Sequence, residues 1–81
     1  MKIETQFFSR LRDLVGANPR TLDLPEGTTV GGLLAQMYSE YPALAGWDKT
    51  LLVAVGLEFV ERTQVLQAGD EVSIMPPVQG G

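Results

Sequence analysis

Thr28-Thr29-Val30-Gly31-Gly32-Leu33-Leu34-Ala35-Gln36-Met37-Tyr38-Ser39-Glu40-Tyr41 is the stretch on which the fold turns. Val30, Leu33, Leu34, Met37 and Tyr41 recur at spacings of three, one, three and four, which lines one side of a helix with apolar groups. Thr28 and Thr29 carry hydroxyls that accept from the first unpaired amides, so the helix is expected to start there. Gly31 and Gly32 each cost a helix roughly 1 kcal/mol relative to alanine, so their presence in the first turn is read as permitting close packing. Pro42 limits the helix. Residues 43 to 49 read as a loop, with Trp47 as a lid on the core.

Working outward, Lys2 to Phe8 alternates: Ile3, Thr5 and Phe7 fall on one face and Lys2, Glu4 and Gln6 on the other, as in a half-buried strand. Phe8 breaks the alternation. Ser9 is a candidate N-cap for a short helix with Leu11, Leu14 and Val15 inward and Gly16 as its stop. After Ala17-Asn18-Pro19, a second strand runs from Arg20 to Leu24 with Leu22 and Leu24 inward, and Pro25-Glu26-Gly27 ends it. Beyond the main helix, Leu51 to Val55 reads as a strand buried on both faces, and Gly56-Leu57 as a turn into Glu58 to Glu61. Ala68-Gly69-Asp70 signals a turn. Glu71 to Met75 forms the last strand with Val72 and Ile74 inward, and Pro76-Pro77 must end it because proline donates nothing to a ladder. Two strands, a long helix and three strands predict an α+β fold, with the helix across one face of a mixed sheet.

Eighty-one residues allow one modest core. The longest apolar run, Leu51 to Val55, is far short of the roughly 20 residues of a bilayer span, and the alternating start from Met1 does not open into the apolar block of a secretory signal. A membrane partner is therefore not expected. Six basic residues oppose ten acidic ones for a net charge of −4, with no basic cluster beyond Arg10 and Arg12, which argues against nucleic acid as a partner. The chain contains neither cysteine nor histidine. Disulfides, thiolate nucleophiles, imidazole bases and the usual zinc ligand sets are thereby excluded, and no metal site or bound cofactor is expected.

Carboxylates, hydroxyls, lysines and the chain ends are what remain for chemistry. The C-terminus Pro76-Pro77-Val78-Gln79-Gly80-Gly81 stands out. Its prolines favour a stiff extended path, and its two glycines make a tip without side chains. Six extended residues reach about 20 Å, enough to pass into another protein's active site. The reading is a domain over residues 1–75 and a flexible tail over 76–81 that presents the Gly81 carboxylate. A free carboxylate is a poor acyl donor, so a partner would have to activate it, for example as an acyl-adenylate, and a sulfur nucleophile would then leave a thiocarboxylate. Gly-Gly alone is a weak signal, since chain ends are commonly frayed.

Several motifs taken together resemble the MoaD and ThiS sulfur-carrier family, in particular the small subunits of molybdopterin synthase. They are Phe7-Phe8 with Arg12, Leu14 and Gly16; Leu24-Pro25-Glu26-Gly27-Thr28-Thr29-Val30; Tyr41-Pro42; and Gly69-Asp70-Glu71-Val72 followed by Pro76-Pro77-Val78-Gln79-Gly80-Gly81. The resemblance spans essentially the whole chain. It implies a ubiquitin-like β-grasp fold and a cytoplasmic carrier with no intrinsic cofactor. An E1-like adenylyltransferase would activate Gly81 with ATP and magnesium, a sulfur donor protein would supply the sulfur, and Gly80 would complete the slim tip. The carrier would then pair with a large synthase subunit, as a heterotetramer of two small and two large subunits. That subunit would hold the catalytic groups and use the sulfur to make the dithiolene of molybdopterin from cyclic pyranopterin monophosphate.

The same resemblance implies a partner-binding surface of Phe8, Phe59 and Met75 beside the segment Pro76, Pro77, Val78 and Gln79. Phe8 and Phe59 are also unusual in themselves, as large apolar groups where a polar outer face is expected, although closing a small core is the other reading of both. Arg12 matches a family arginine near this surface, suited to a partner carboxylate or to plain solvation. One departure is Val55-Gly56, where the family commonly has Val-Asn; glycine tolerates the positive φ that such a turn needs. A carrier for thiazole or cysteine formation and a ubiquitin-like modifier joined to lysines are the alternatives.

Overall fold

The computed structural model describes residues 1–16 and 18–77. Strands β1 (Lys2–Phe7), β2 (Arg20–Asp23), β3 (Leu52–Val55), β4 (Glu58–Phe59) and β5 (Glu71–Met75) form one sheet in the order β2-β1-β5-β3-β4. The central pair β1 and β5 is parallel, with Thr5 opposite Val72 and Phe7 opposite Ile74, and the other pairings are antiparallel. Helices α1 (Arg10–Val15), α2 (Val30–Glu40) and α3 (Pro42–Ala45) and a 3-10 turn (Asp48–Thr50) complete the domain. This mixed sheet with one main helix over one face is the ubiquitin-like β-grasp.

Alternation puts Ile3, Thr5 and Phe7 of β1 and Val72 and Ile74 of β5 on the inner face, where all are buried. They meet Val30, Leu33, Leu34 and Met37 of α2 in one apolar cluster. Each buried aliphatic side chain contributes about 1.5–3 kcal/mol by leaving water, so a truncation such as Leu33→Ala costs about 2–5 kcal/mol. Thr29 caps α2 by accepting from the Gly32 amide at 3.1 Å. The Gly31 amide donates to the Arg62 carbonyl at 2.9 Å, and a Cβ at Gly31 would lie 3.3 Å from that oxygen. The glycine serves close packing, as its position in a helix implied.

Four details differ from the expectations. Pro42 does not lead into a loop: it opens α3 as its first residue, where its missing N–H costs nothing, and Leu44 becomes part of the core. The segment 43–49 is thus largely helical. Ser9 flanks α1 at the N-cap position, but its side chain makes no capping bond and its backbone sits at φ 57°. Leu14 faces outward, since Leu11 and Val15 alone occupy the buried stripe of so short a helix. Finally, β3 is not buried throughout: Val53 and Ala54 are covered, but Leu52 is exposed because, among the described residues, no helix lies over the outer face of the sheet there. The turn at Gly56 behaves as expected, with φ 60°.

Candidate functional site

The ends of β1, β3 and β5 around Met75, with β4 alongside, define the site. In β5, Val72 and Ile74 point inward, so Ser73 and Met75 point outward. Met75 pairs with Leu52 of β3, and Ala54, one row away, pairs with Phe59 of β4. Phe8 follows the last residue of β1 and extends the ladder by donating its amide to the Ile74 carbonyl at 3.1 Å. Phe8, Leu52 and Phe59 are 42%, 36% and 70% exposed, and Met75 is half-buried. The structure therefore puts Phe8, Phe59 and Met75 on one apolar face and rejects the reading in which Phe8 and Phe59 close the core. Leu52 belongs to the same face. Sequence reasoning missed it because an unbroken apolar run does not show which of its members lacks a cover.

Pro76 and Pro77 continue directly from this patch, half-buried against the body. With Ser9, Arg10 and Trp47 they line a shallow cleft of about 340 Å³. Trp47 accordingly does two things: it packs on the core cluster and it walls this cleft. Val78, Gln79, Gly80 and Gly81, the rest of the expected tail, lie outside the described residues. Arg12 is an exposed member of α1, on the helix that follows Phe8 and not in the sheet face itself.

The remaining charged groups hold the framework in shape. The Tyr38 hydroxyl donates to Asp48 Oδ1, and Arg62 donates to the same oxygen at 2.9 Å and to the Asp48 carbonyl at 2.6 Å. This clasp joins α2, the 3-10 turn beside Trp47 and the segment after β4. Burial, and then the adjoining Asp48 carboxylate, push the Tyr38 phenol well above its ordinary range. The bonds from Tyr38 and Arg62 hold the Asp48 carboxyl below the usual carboxylate range. Arg20 pairs with Glu40 at 2.6 Å, donates to the Tyr41 hydroxyl at 2.7 Å and lies over the Tyr41 ring, which fixes β2 to the end of α2. At the opposite end of the sheet, the amino terminus and Lys2 hold Asp23 and lower its pKa. Among the described residues no group of three or more metal-ligating side chains is assembled.

A β-grasp domain with an apolar outer face and a sequence ending in Gly-Gly defines a class of small carrier and modifier proteins. Residues 5–81 match the ThiS family, and the chain belongs to it. It is 37% identical to the molybdopterin synthase sulfur carrier subunit of Chlamydomonas reinhardtii over the full length of both. It is also 32% identical to small archaeal modifier protein 3 of Haloferax volcanii, again over the full length of both. Among solved structures, a protein assigned as molybdopterin converting factor subunit 1 of Pyrococcus furiosus superposes with a TM-score of 0.87 at 27% identity, covering 96% of this chain and 99% of the other.

Proposed function

We propose that this chain is the sulfur carrier subunit of a molybdopterin synthase. The observation that carries the reading is the continuity of the outer-face patch with the C-terminal segment: Met75, at the edge of the patch, is followed in sequence at once by Pro76-Pro77 and, after Val78 and Gln79, by the Gly-Gly end. A partner that seats Phe8, Leu52, Phe59 and Met75 against an apolar surface also receives the C-terminal segment, because that segment continues directly from Met75, a member of the patch. A patch of this kind covers apolar groups that otherwise face water.

The chemistry follows from the terminal group. The Gly81 carboxylate attacks the α-phosphorus of ATP on an E1-like activating enzyme that also holds magnesium, and pyrophosphate leaves. The outer sulfur of a persulfide on a donor protein displaces AMP from the acyl-adenylate, giving an acyl disulfide, and a thiol reductant then cleaves its S–S bond to release the thiocarboxylate. In the large synthase subunit, which supplies acid, base and pterin-binding groups, that sulfur bonds to cyclic pyranopterin monophosphate, water then hydrolyses the acyl–sulfur bond so that Gly81 returns as a carboxylate, and a second loaded chain supplies the other sulfur of the dithiolene. Gly80 and Gly81 keep the acyl carbon unhindered throughout, while Pro76, Pro77, Val78 and Gln79 carry it into the channel. The setting is the cytoplasm, and the working assembly is a heterotetramer of two small and two large subunits.

Deleting Gly81 tests this reading: sulfur transfer is lost while the unfolding midpoint stays unchanged, and full synthase activity in the truncated chain would refute it. The 32% identity to an archaeal modifier favours a second reading, in which Gly81 is joined to lysines of other proteins. Isopeptide-linked adducts in cells, absent from the Gly81 deletion, would support that use.

A further inference from the structure

The three cations that form no ion pair among the described residues are all at the end of the sheet from which the C-terminal segment leaves. Of the six basic residues, Lys2, Arg20 and Arg62 are engaged by Asp23, Glu40 and Asp48. Arg10 and Arg12 lie in α1, directly after β1, and Lys49 lies two residues beyond Trp47 in the turn that leads into β3. All three are exposed. The parallel β1–β5 pair and the antiparallel β3 place these positions at the Phe7, Met75 and Leu52 end of the sheet. Glu4, Glu58, Asp70 and Glu71 belong to the other half, as the Glu4–Glu71 and Val55–Glu58 pairings show. Asp13 is the acid that α1 itself contributes. A chain of net charge −4 thus holds Arg10, Arg12 and Lys49, the last beside the Asp48 carboxylate, at the end from which the C-terminal segment leaves.

The cleft at this end has the composition of a recognition site for one anionic side chain. Arg10 supplies a cation, and Trp47, Pro76 and Pro77 supply apolar walls. Ser9 lines it with a hydroxyl that is not spent on capping α1, and Ser9 is the one described non-glycine residue held at positive φ. Backbone strain persists where the surroundings enforce it, and it concentrates at functional positions. Arginine's planar fork suits a carboxylate, and the indole and proline faces suit the methylenes that carry it.

We infer that this cleft is a second docking subsite, which takes a glutamate or aspartate side chain from an acidic lip of the protein that receives the C-terminal segment. The segment then passes between two unlike contacts: an apolar one on the sheet face at Phe8, Leu52, Phe59 and Met75, and an ionic one at Ser9, Arg10 and Trp47. The apolar face sets how long the complex lasts. The positive end sets how fast a net-negative chain finds an acidic channel mouth, and in which orientation.

This inference rests on the proposed docking to a large synthase subunit, and the test separates the two. Association and dissociation rates with the large subunit encoded in the same genome are measured across a salt series for the wild-type chain and for Arg10→Glu, Arg10→Lys, Lys49→Glu and Phe59→Asp. Arg10→Glu is expected to slow association about tenfold at low salt and to flatten its salt dependence. Lys49→Glu acts in the same direction, Arg10→Lys keeps the wild-type association rate and salt slope, which depend on charge, but speeds dissociation because an ammonium lacks the guanidinium fork, and Phe59→Asp chiefly speeds dissociation. A lysine substituted for one acidic residue at the channel mouth restores association of Arg10→Glu. An association rate and salt slope unchanged in Arg10→Glu, with Phe59→Asp weakened, would overturn the second subsite and leave the docking reading standing. No binding by the wild-type chain would overturn both. Arg10 is exposed, and an unchanged thermal midpoint in each variant shows that folding is not the cause of any loss.

Discussion

Leu52 of β3 and Met75 of β5 are direct antiparallel partners on the face of the sheet that no helix covers. That pairing ties the patch to the C-terminus, since the residue after Met75 already belongs to the departing segment. The expected consequence is that the patch acts in binding and not in folding. Replacing Phe8 and Phe59 by aspartate should weaken binding to the large subunit by tenfold or more, as loss of a buried aromatic anchor does. The thermal midpoint should stay close to wild type, because Phe59 is 70% and Phe8 42% exposed in the free chain. A calorimetric titration beside a thermal melt checks both, and an unchanged dissociation constant would remove the patch from the docking surface.

Gly56 sits at φ 60°, and beyond its chain neighbours no heavy atom of the described residues comes within 4 Å of where a Cβ would be. Space is therefore not the constraint; backbone conformation is. Gly56→Val should cost about 1–2 kcal/mol, the penalty an ordinary side chain meets in the left-handed region. Gly56→Asn, the residue common at this turn in the family, should cost less, because asparagine tolerates that region. Urea denaturation of the two variants gives the order directly.

Thr5 is fully buried on the inner face, and its hydroxyl has no hydrogen-bond partner among the described residues. Desolvating an unpaired hydroxyl works against folding, so Thr5→Val, which keeps the shape, should raise stability by about 1 kcal/mol. A lower midpoint in Thr5→Val would show that the hydroxyl is satisfied in solution.

The clasp gives a pH dependence with a definite sign. Asp48 and Asp23 have folded-state pKa values lowered from 3.8, by Tyr38 and Arg62 in the first case and by the amino terminus and Lys2 in the second. A lowered carboxyl binds fewer protons folded than unfolded, so its contribution is present above 3.8 and lost as the pH falls through the folded value. Tyr38 behaves in the opposite sense: its pKa is raised from 10.0, so its contribution is complete below that pH and is lost as alkalinity reaches the folded value. Thermal midpoints should be flat near neutrality and fall at both extremes. Asp48→Asn should lose stability at neutral pH and fall less steeply in acid.

The alternation of Ile3, Thr5 and Phe7, the periodicity of Val30 to Met37 and the break at Pro76-Pro77 made the sheet, the main helix and its packing readable, because each is a local pattern with one dominant period. Phe8 and Phe59 were legible as breaks in such patterns. What was not legible depended on partners distant in sequence. Leu52 looks like its buried neighbours until the sheet order leaves its face open. Pro42 looks like a terminator until it starts α3. The cleft joins Ser9, Trp47 and Pro77, which only the tertiary fold brings together. The clasp of Tyr38, Asp48 and Arg62 was unreadable for the same reason.

The working group of the protein is one atom at the end of the chain. Intact-mass measurement after incubation with the cognate activating enzyme, ATP, magnesium and a sulfur donor reads it directly. A mass gain equal to replacing one oxygen by sulfur, mapped to Gly81 and absent without ATP, is the predicted result. An unaltered mass with an activating enzyme proven competent on another carrier would contradict the account.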